Sequence, residues 1–424
     1  MKRETTAYER LLYYMGNKSP IYFAFRVKVK GTIKKSELEE ALLKAQQKHP
    51  LARVRVEMTE DKKQFITTEN VPEIPLIEFN RDETSWKSLI KEELCKPFDI
   101  FKGPMIRVFL IQRENISDVV AVFHHALCDG LSAVLFLHNV FLFLANPDMP
   151  LNPYTDAPIP SKLIKKNILE IIRKRELPDW LKNKEHLNVE LKPPKEEPFP
   201  HPDFAIHNWF FAEDETKKII SLAKENNISV HAILGAVLLE AFAQEFGTKE
   251  GYERILQSPV NFKPFLVDEA KEYFGLFIGI LKIKLDCSPE KTILEIAEDI
   301  HTKLKEKIDN YELLGGYYFF SEYLLDDIED PELYYANRPP QPMNYDFSLS
   351  NLGRIQTQKK YGNYEIEKVY GPIFSAIKGE RVIGVATHQG RMFFACIYDK
   401  DCFSYDTGSS IIQKALDIFH DIIK

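Results

Sequence analysis

Cysteine is scarce and scattered in this sequence, with five residues among 424. No two of them have a CxxC spacing, and an odd number does not suit a fully paired disulfide framework. These features argue against a disulfide-stapled secreted scaffold and against a zinc knuckle, and they fit a reducing cytoplasm best. The five positions are Cys95, Cys128, Cys287, Cys396 and Cys402.

An excess of positive charge and a long hydrophobic run are also missing. The 56 basic residues face 63 acidic ones, and the formal net charge of −7 gives no global attraction to nucleic acid. The longest apolar run, residues 131–145, is shorter than the roughly 20 residues of a membrane span and contains His138 and Asn139. The N-terminus lacks the apolar core of a signal peptide. We therefore expect a cytoplasmic protein without a transmembrane segment.

The remaining composition is that of a globular protein, with 44% hydrophobic, 12% aromatic and 28% charged residues. A chain of this length favours two lobes over one core. Strand and helix patterns alternate in both halves, and prolines are dense between them. We therefore predict an α/β fold with an N-terminal lobe at residues 1–150, an inter-lobe crossover at 151–203 and a C-terminal lobe at 204–424.

The stretch VFHHALCDG, residues 122–130, places two histidines at the end of a β-branched and aromatic strand, just before an apolar helix. A strand-to-helix turn can hold a side chain rigidly while it faces a cleft. An imidazole there can take a proton from an attacking hydroxyl, amine or thiol. Because neighbouring strand residues point to opposite faces, one histidine is the candidate base and the other belongs to the interior.

Three neighbours complete this candidate site. Asp129 opens the following helix, where a carboxylate is favoured by the helix dipole. Arg107 lies in an otherwise apolar strand, GPMIRVFLI, where an isolated guanidinium would be costly, so we predict that it pairs with Asp129. Gly130 permits a tight turn that brings the backbone close to the site.

Other interpretations of the same residues remain open. A metal site is disfavoured because adjacent histidines on a strand diverge, and no second cluster with metal-ligand spacing follows. Cys128 could act as a nucleophile, but a single buried-type cysteine is more often inert packing. From local chemistry alone, a structural histidine pair is as plausible as a catalytic one.

The motif resembles the HHxxxDG signature of the CoA-dependent acyltransferase superfamily. That superfamily includes chloramphenicol acetyltransferase, the condensation domains of nonribosomal peptide synthetases, wax ester synthases, alcohol acetyltransferases and phthiocerol dimycocerosyl transferases. Further segments follow in the family's order, so the resemblance spans nearly the whole chain. They are ELEEALLKAQQKHPLARVRV, KPFDIFKGPMIRVFL, SVHAILGAVLLEAF, SPVNFKPFL, DFSLSNLGRI and ATHQGRMFFACIYD.

The resemblance implies two chloramphenicol-acetyltransferase-like lobes that form a pseudo-dimer with a central channel. The acyl donor and acceptor would meet at His125, the general base. His124 and Asp129 would be structural, with Asp129 bridged to Arg107. The SNLG form is similar to that of the alcohol acetyltransferases, and we expect Asn351, with Ser350 behind it, as the oxyanion or channel residues.

Three functional classes follow from this resemblance. The first is an acyltransferase that moves an acyl group from acyl-CoA to a hydroxyl acceptor. The second is a stand-alone condensation-type enzyme with an acyl carrier protein as donor, possibly forming an amide on an amine acceptor. The third is a catalytically silent scaffold, which the intact motif disfavours. We expect a monomer with no bound cofactor and no metal, and with acyl-CoA or acyl carrier protein as co-substrate.

Two further features have no assigned role in this scheme. The aromatic clusters YERLLYY and GGYYFFSEYLL either line an apolar acceptor channel or form ordinary core. The segment KLIKKNILEIIRKR, residues 162–175, predicts a helix with one apolar side and many cations. That helix is either a packed crossover with solvated charges or a docking surface for CoA phosphates, an acidic carrier protein or an anionic membrane.

Overall fold

The computed structural model describes residues 1–61, 63–80, 85–154, 159–184, 187, 203–247, 252–325, 328, 330–337, 343–375 and 379–424. In these residues strands and helices alternate along the chain, and two six-stranded sheets form the centre. The predicted α/β fold with two lobes is confirmed. Much of the predicted crossover at 151–203 lies outside the described residues.

The first sheet has the strand order β12-β13-β2-β7-β6-β5. Neighbouring strands are antiparallel, except that β5 and β6 run parallel. The central strands β2 and β7 are almost entirely buried, as expected for β-branched and aromatic sequences. The strands are β2 (Tyr22–Lys30), β5 (Leu76–Asn80), β6 (Ile106–Arg113), β7 (Ile116–His124), β12 (Lys360–Tyr361) and β13 (Tyr364–Phe374).

The second sheet has the order β10-β9-β11-β14-β15-β8, and β11 runs parallel to both of its neighbours. Its strands are β8 (Phe204–Phe211), β9 (Glu253–Asn261), β10 (Ile278–Asp286), β11 (Phe347–Arg354), β14 (Arg381–His388) and β15 (Arg391–Asp399). A small three-stranded sheet at the N-terminus comprises β1 (Lys2–Glu4), β4 (Gln64–Thr67) and β3 (Arg55–Met58).

Helices cover the outer faces of these sheets, and short side chains fix where several of them begin. Thr6 and Thr292 each form a capping box with the glutamate three residues later, and Ser229 and Ser404 cap two further helices. The helices are α1 (Ala7–Lys18), α2 (Lys35–Lys48), α3 (Ser85–Leu94), α4 (Gly130–Ala145), α5 (Lys166–Arg173), α6 (Asp179–Lys182), α7 (Glu213–Glu225), α8 (Val230–Phe246), α9 (Ile293–Asp309), α10 (Glu312–Tyr323), α11 (Pro331–Asn337) and α12 (Tyr405–Ile422).

The second sheet contributes to two hydrophobic cores, because alternate residues of a strand point to opposite faces. Val382 and Ala386 of β14 pack into the core of the first sheet. Ile383 and Val385 of the same strand pack into a second core, together with α8, α9 and α12. The second sheet therefore lies between the two cores and contributes side chains to both.

Strand β13 connects the lobes most directly. It follows β11 of the second sheet in the chain, yet it pairs with β2 of the first sheet. The predicted boundary that assigns all of residues 204–424 to a C-terminal lobe is therefore wrong for this strand. Hydrophobic periodicity identifies a strand but not the sheet it joins. Gly384 of β14 allows the close approach, because a Cβ there would overlap the Pro372 carbonyl oxygen of β13.

The predicted basic helix at 162–175 is shorter than expected. A 3₁₀ turn, Pro160–Leu163, precedes α5. Ile168 and Ile172 of α5 are buried in the second core. The Arg173 guanidinium donates to the Tyr318 hydroxyl at 3.1 Å, and Lys165 donates to the Pro264 carbonyl at 2.9 Å. These contacts favour the packed crossover, with several of its cations bonded to the protein.

The described helices are short or polar relative to a membrane span. None of them is long and apolar enough on its own to cross a bilayer. Helices α7 and α8 reach the required length and composition only together, and they are bent by 105° relative to each other.

A buried group of charges lies in the first sheet. Asp118 of β7, 1% exposed, accepts a hydrogen bond of 2.9 Å from Nε of Arg26 on β2 and a second one from Arg113 on β6. The Arg26 guanidinium also lies over the Trp86 ring at 4.7 Å. One carboxylate thus faces two guanidinium groups across three adjacent strands.

We predict that Asp118→Asn destabilises the protein by about 3–5 kcal/mol, because it removes the negative charge between two cations in a buried site. Denaturant unfolding followed by circular dichroism measures this change. The matched control is Asp309→Asn, which removes an exposed partner of Lys305 and is expected to change stability by less than about 0.5 kcal/mol. Equal effects of the two substitutions would contradict the prediction.

Candidate active site

The histidine motif lies where a central strand meets a buried helix. Strand β7 ends at His124, a turn spans the next residues, and α4 begins at Gly130. This strand-turn-helix arrangement was predicted and is confirmed. The backbone N–H of His125 donates to the Ile21 carbonyl at 3.0 Å, which fixes the turn to the residue that precedes β2.

The His125 ring has a defined tautomer. Its Nδ1 lies 3.0 Å from the Cys128 carbonyl oxygen. Because a carbonyl oxygen only accepts, Nδ1 carries the proton and Nε2 keeps its lone pair. The half-buried ring packs against Phe23 of β2 and Phe374 of β13, with ring centroids 5.1 and 5.5 Å away. Burial lowers the pKa of His125 below its ordinary value, so the ring is neutral at physiological pH.

His124 is fully buried on the opposite face of β7 from His125, as predicted. Its Nδ1 accepts a hydrogen bond of 3.1 Å from the Ala126 N–H, and its ring packs against Tyr22 with centroids 5.2 Å apart. Burial lowers the pKa of His124 to about 3, which keeps it neutral. Gly16 of α1 makes room for the ring, because a Cβ there would overlap His124 Nε2. Sequence reasoning missed Gly16.

Asp129 joins the two lobes by hydrogen bonds. Its Oδ1 accepts from the Ser132 N–H at 2.8 Å and caps α4, and its Oδ2 accepts from the Phe277 N–H at 2.8 Å. Its own N–H donates to the Gly275 carbonyl at 3.1 Å. Asp129 is 1% exposed, so each carboxylate oxygen accepts its hydrogen bond in a site that excludes water.

The predicted ion pair between Arg107 and Asp129 is wrong. The Arg107 guanidinium instead lies 3.1 Å from the Glu93 carboxylate and 3.8 Å above the Phe98 ring. It also donates to the backbone carbonyls of residues 93, 96 and 97. A strand pattern predicts that a buried cation needs a partner, but it cannot identify the partner, which here lies on helix α3.

Lys263, which sequence reasoning did not single out, is a partly buried cation that interacts electrostatically with Asp129. The Lys263 ammonium donates to the Tyr273 carbonyl at 2.8 Å and lies 4.7 Å from the Phe277 ring centroid. Burial lowers the pKa of Lys263, and the negative charge of Asp129 opposes that shift. Its position in SPVNFKPFL, a segment already noted for its resemblance, was the available signal.

Gly130 serves close packing and not the predicted tight turn. It is the first residue of α4 and has no positive φ. A Cβ at this position would lie 3.0 Å from Leu352 Cδ2 of β11 and 3.5 Å from Pro372 of β13. The start of α4 therefore sits against two strands that reach it from the second half of the chain.

Ser350 and Asn351 lie on β11, and within the described residues neither side chain is hydrogen bonded to His125. Ser350 is 6% exposed. Asn351 Oδ1 accepts from the Gly353 N–H at 2.9 Å, within the irregularity that shifts the register of β11 and β14 between Asn351 and Arg354. Asn351 also lines a cavity. The oxyanion or channel role of both residues stays a prediction.

The sequence profile of the condensation-domain family matches residues 13–424. The chain belongs to the condensation-domain family. Bacitracin synthase 1 of Bacillus licheniformis is 22% identical over 323 residues, which cover 71% of this chain. The chain spans 4–6% of the length of the curated relatives it matches. The predicted resemblance to the CoA-dependent acyltransferase superfamily is confirmed at the level of the family.

Solved structures share the fold of this condensation-domain chain. The TRI3 trichothecene 15-O-acetyltransferase of Fusarium sporotrichioides has a TM-score of 0.73 at 12% identity, covering 100% of this chain and 94% of that chain. Polyketide synthase associated protein 5 of Mycobacterium tuberculosis has a TM-score of 0.65 at 14% identity, covering 100% and 99% of the two chains. The predicted chloramphenicol-acetyltransferase-like, two-lobed α/β architecture is therefore confirmed.

Cys128 and the acidic and histidine side chains bear on the two alternative chemistries, a thiol nucleophile and a metal site. Burial raises the pKa of the Cys128 thiol well above its ordinary value, so this thiol stays protonated and is a poor nucleophile. Among the described residues, no three His, Cys, Asp or Glu side chains converge as metal ligands would.

A large cavity of about 890 Å³ lies where β13 of the first sheet faces the ends of β11, β14 and β15. Its wall mixes apolar residues with charged side chains of both signs. The cations are Arg354, Lys359, Lys368 and Arg391, and the acids are Glu213, Glu365 and Glu367. Lys359 and Glu365 pair with each other at 3.6 Å, so part of this charge is balanced within the wall.

We predict that Asp129→Asn lowers the free energy of unfolding by about 1–3 kcal/mol, because an amide group replaces one of the two oxygens that accept buried N–H groups. Urea unfolding measures the loss. The matched control is Asp99→Asn, since Asp99 also accepts two backbone N–H groups but at an exposed site. A stable Asp129→Asn protein without activity would contradict the structural role.

Proposed function

We propose that this protein transfers an acyl group from acyl-CoA to a hydroxyl acceptor and so forms an ester. The observation that carries this proposal is the tautomer of His125. Its Nδ1–H is held by the Cys128 carbonyl, and its Nε2 lone pair is free to act as a base. Membership of the condensation-domain family supports acyl transfer in general.

In the proposed reaction, Nε2 of His125 takes the proton of the acceptor hydroxyl while its oxygen attacks the thioester carbonyl carbon. The tetrahedral intermediate then collapses, the carbon–sulfur bond breaks, and the departing thiolate takes the proton back from Nε2. The products are an ester and a free thiol, and His125 returns to its starting state. The proposed reaction needs neither an oxidant nor a metal.

Other residues of the site would support His125 without touching the reacting atoms. His124 and Asp129 hold the turn through buried hydrogen bonds. We propose Asn351 as a donor to the oxyanion, since its Oδ1 is occupied by Gly353 and its amide N–H groups have no partner among the described residues. Ser350 behind it is a second candidate.

The identity of the acyl donor has a second candidate. The sequence matches to Bacitracin synthase 1 and to the nonribosomal peptide synthetase tcpP favour a donor held on a carrier protein and, with it, an amine acceptor. The fold match to an O-acetyltransferase is compatible with free acyl-CoA and a hydroxyl. Both donors present a thioester, so His125 would play the same part in each reaction.

Two properties of the whole protein are proposed with this function. All five cysteines are free thiols, which supports a reducing compartment, and we propose the cytoplasm. We also propose that the chain acts as a monomer, because one polypeptide supplies His125, the hydrogen-bonded Asp129 and both six-stranded sheets.

We predict that His125→Ala lowers turnover by about 10²–10⁴-fold and leaves the fold intact, because a positioned base is lost. A free-thiol assay with panels of acyl-CoAs, alcohols and amines measures this rate, and acylated carrier protein replaces acyl-CoA in a parallel arm. His301→Ala on α9 is the matched control and should keep full activity. Undiminished turnover by His125→Ala would overturn the mechanism.

The pH profile offers an independent measurement. Only neutral His125 can accept the proton, and burial lowers its pKa below the ordinary 6.5. We therefore expect kcat/KM to be constant at and above neutral pH and to fall only on acidification through a pKa below 6.5. An acid limb with an apparent pKa at or above 6.5 would contradict this assignment.

A further inference from the structure

Residues 273–277, called the bridging loop below, lie between a 3₁₀ turn (Asp268–Glu272) and β10. The loop contributes side chains to both cores. Phe274 packs into the core of the first sheet, with its ring centroid 5.7 Å from that of His49. Phe277 packs into the second core. The bridging loop is therefore in contact with both lobes.

The bridging loop and the His125 ring are bound to the same peptide unit. The Cys128 carbonyl oxygen lies 3.0 Å from His125 Nδ1, and the N–H of Asp129 donates to the Gly275 carbonyl at 3.1 Å. That carbonyl of Cys128 and that N–H of Asp129 belong to one planar amide group. A shift of Gly275 that turns this plane therefore also turns the hydrogen-bond acceptor of the His125 ring.

The Lys263 ammonium fixes the start of the bridging loop. It donates to the Tyr273 carbonyl at 2.8 Å and to the Lys271 carbonyl at 3.4 Å. The backbone of Lys263 is itself held at the end of β9, because its N–H donates to Asn261 Oδ1 at 2.9 Å. These bonds connect the second sheet to the loop two residues before the loop contacts Asp129.

Two carboxylates attract this ammonium. The negative charges of Asp129 and Glu272 oppose the lowering of the Lys263 pKa by burial. Glu272 also accepts a hydrogen bond of 3.2 Å from the Tyr154 hydroxyl. A neutral side chain in place of Lys263 would therefore lose both the bonds to the carbonyls and the attraction to Asp129.

We propose that Lys263 is a positioning residue for His125, which acts through the bridging loop and the peptide unit between Cys128 and Asp129. Lys263 holds the loop carbonyls, the loop holds the peptide plane, and the carbonyl of that plane keeps the proton on His125 Nδ1. Lys263 itself contacts no reacting atom. This inference rests on the proposed function, in which Nε2 of His125 is the base.

A purely structural role for Lys263 gives a different expectation. Loss of a residue that only stabilises the fold lowers the free energy of unfolding but leaves the His125 tautomer of the folded protein unchanged. Loss of a positioning residue frees Nδ1 from its acceptor, and a neutral imidazole can then carry its proton on Nε2. In that tautomer Nε2 has no lone pair with which to act as a base.

The first test replaces Lys263 by methionine, which has no charge and no donor. We expect kcat to fall by about 10–100-fold, as misplacement of a catalytic group does. We expect KM to stay within about twofold of wild type, because no substrate contact is lost. Lys263→Arg keeps the charge and the N–H donors and should recover most of the lost kcat. Lys165→Met is the matched control: it removes an ammonium bonded to the Pro264 carbonyl of the same turn and should keep wild-type kcat.

The second test reads the His125 tautomer and needs no turnover. NMR of protein with isotope-labelled histidine nitrogens reports which ring nitrogen carries the proton, and His125→Ala identifies the His125 signals by their loss. We expect the proton on Nδ1 in wild type, Lys263→Arg and Lys165→Met, and a clear population with the proton on Nε2 in Lys263→Met.

The outcomes separate this inference from the proposed function. A shifted tautomer in Lys263→Met, with undiminished turnover or with no acyl transfer by any protein, would overturn the proposed function and keep the positioning role. A wild-type tautomer in folded Lys263→Met, or an equal shift in Lys165→Met, would overturn the positioning role.

A second variant covers the case in which Lys263→Met does not fold. Gly275→Ala displaces the bridging loop at its contact with Asp129, because a Cβ there would lie 2.8 Å from Phe277 Cε2. We expect the same shift of the His125 proton toward Nε2. An unchanged tautomer in folded Gly275→Ala would overturn the inference, since the loop would then not control the peptide plane.

Discussion

The carboxylate of Asp129 is the interaction on which the site depends most. One oxygen caps the buried helix that follows the histidines, and the other accepts the Phe277 N–H from the second half of the chain. A buried carboxylate that accepts two N–H groups has few alternative partners, so its geometry is strongly fixed. The turn that carries His125 is therefore held by both lobes at once.

The histidine pair shows how a displacement of one residue along a strand places two identical side chains in different environments. His124 and His125 have the same side chain, but the pleat sends them to opposite faces. His124 is enclosed by α1 and by Tyr22, and it can only pack and accept one hydrogen bond. His125 emerges between Phe23 and Phe374, with one nitrogen anchored and the other available for chemistry.

Besides the hydrogen bonds of Asp129, strand β13 and several packed side chains join the two lobes. Strand β13 completes the first sheet although it follows β11 in the chain, and its Phe374 packs on His125. Gly130 allows α4 to approach Leu352 and Pro372 from the second half of the chain, and Gly384 allows β14 of the second sheet to approach β13 of the first. These contacts both pack the lobes together and surround His125. The position of the His125 ring therefore depends on how the lobes pack.

The sequence by itself determined the α/β class, the family resemblance, the strand-turn-helix at the motif and the different environments of His124 and His125, because hydrophobic periodicity and the strand pleat act over a few residues. Only the tertiary structure decided the partners of buried charges and the sheet to which β13 belongs. Arg107 pairs with Glu93, and Asp129 finds the Phe277 N–H and the charge of Lys263. Such long-range pairings depend on how distant segments pack, and no local sequence pattern predicts which segments will be in contact.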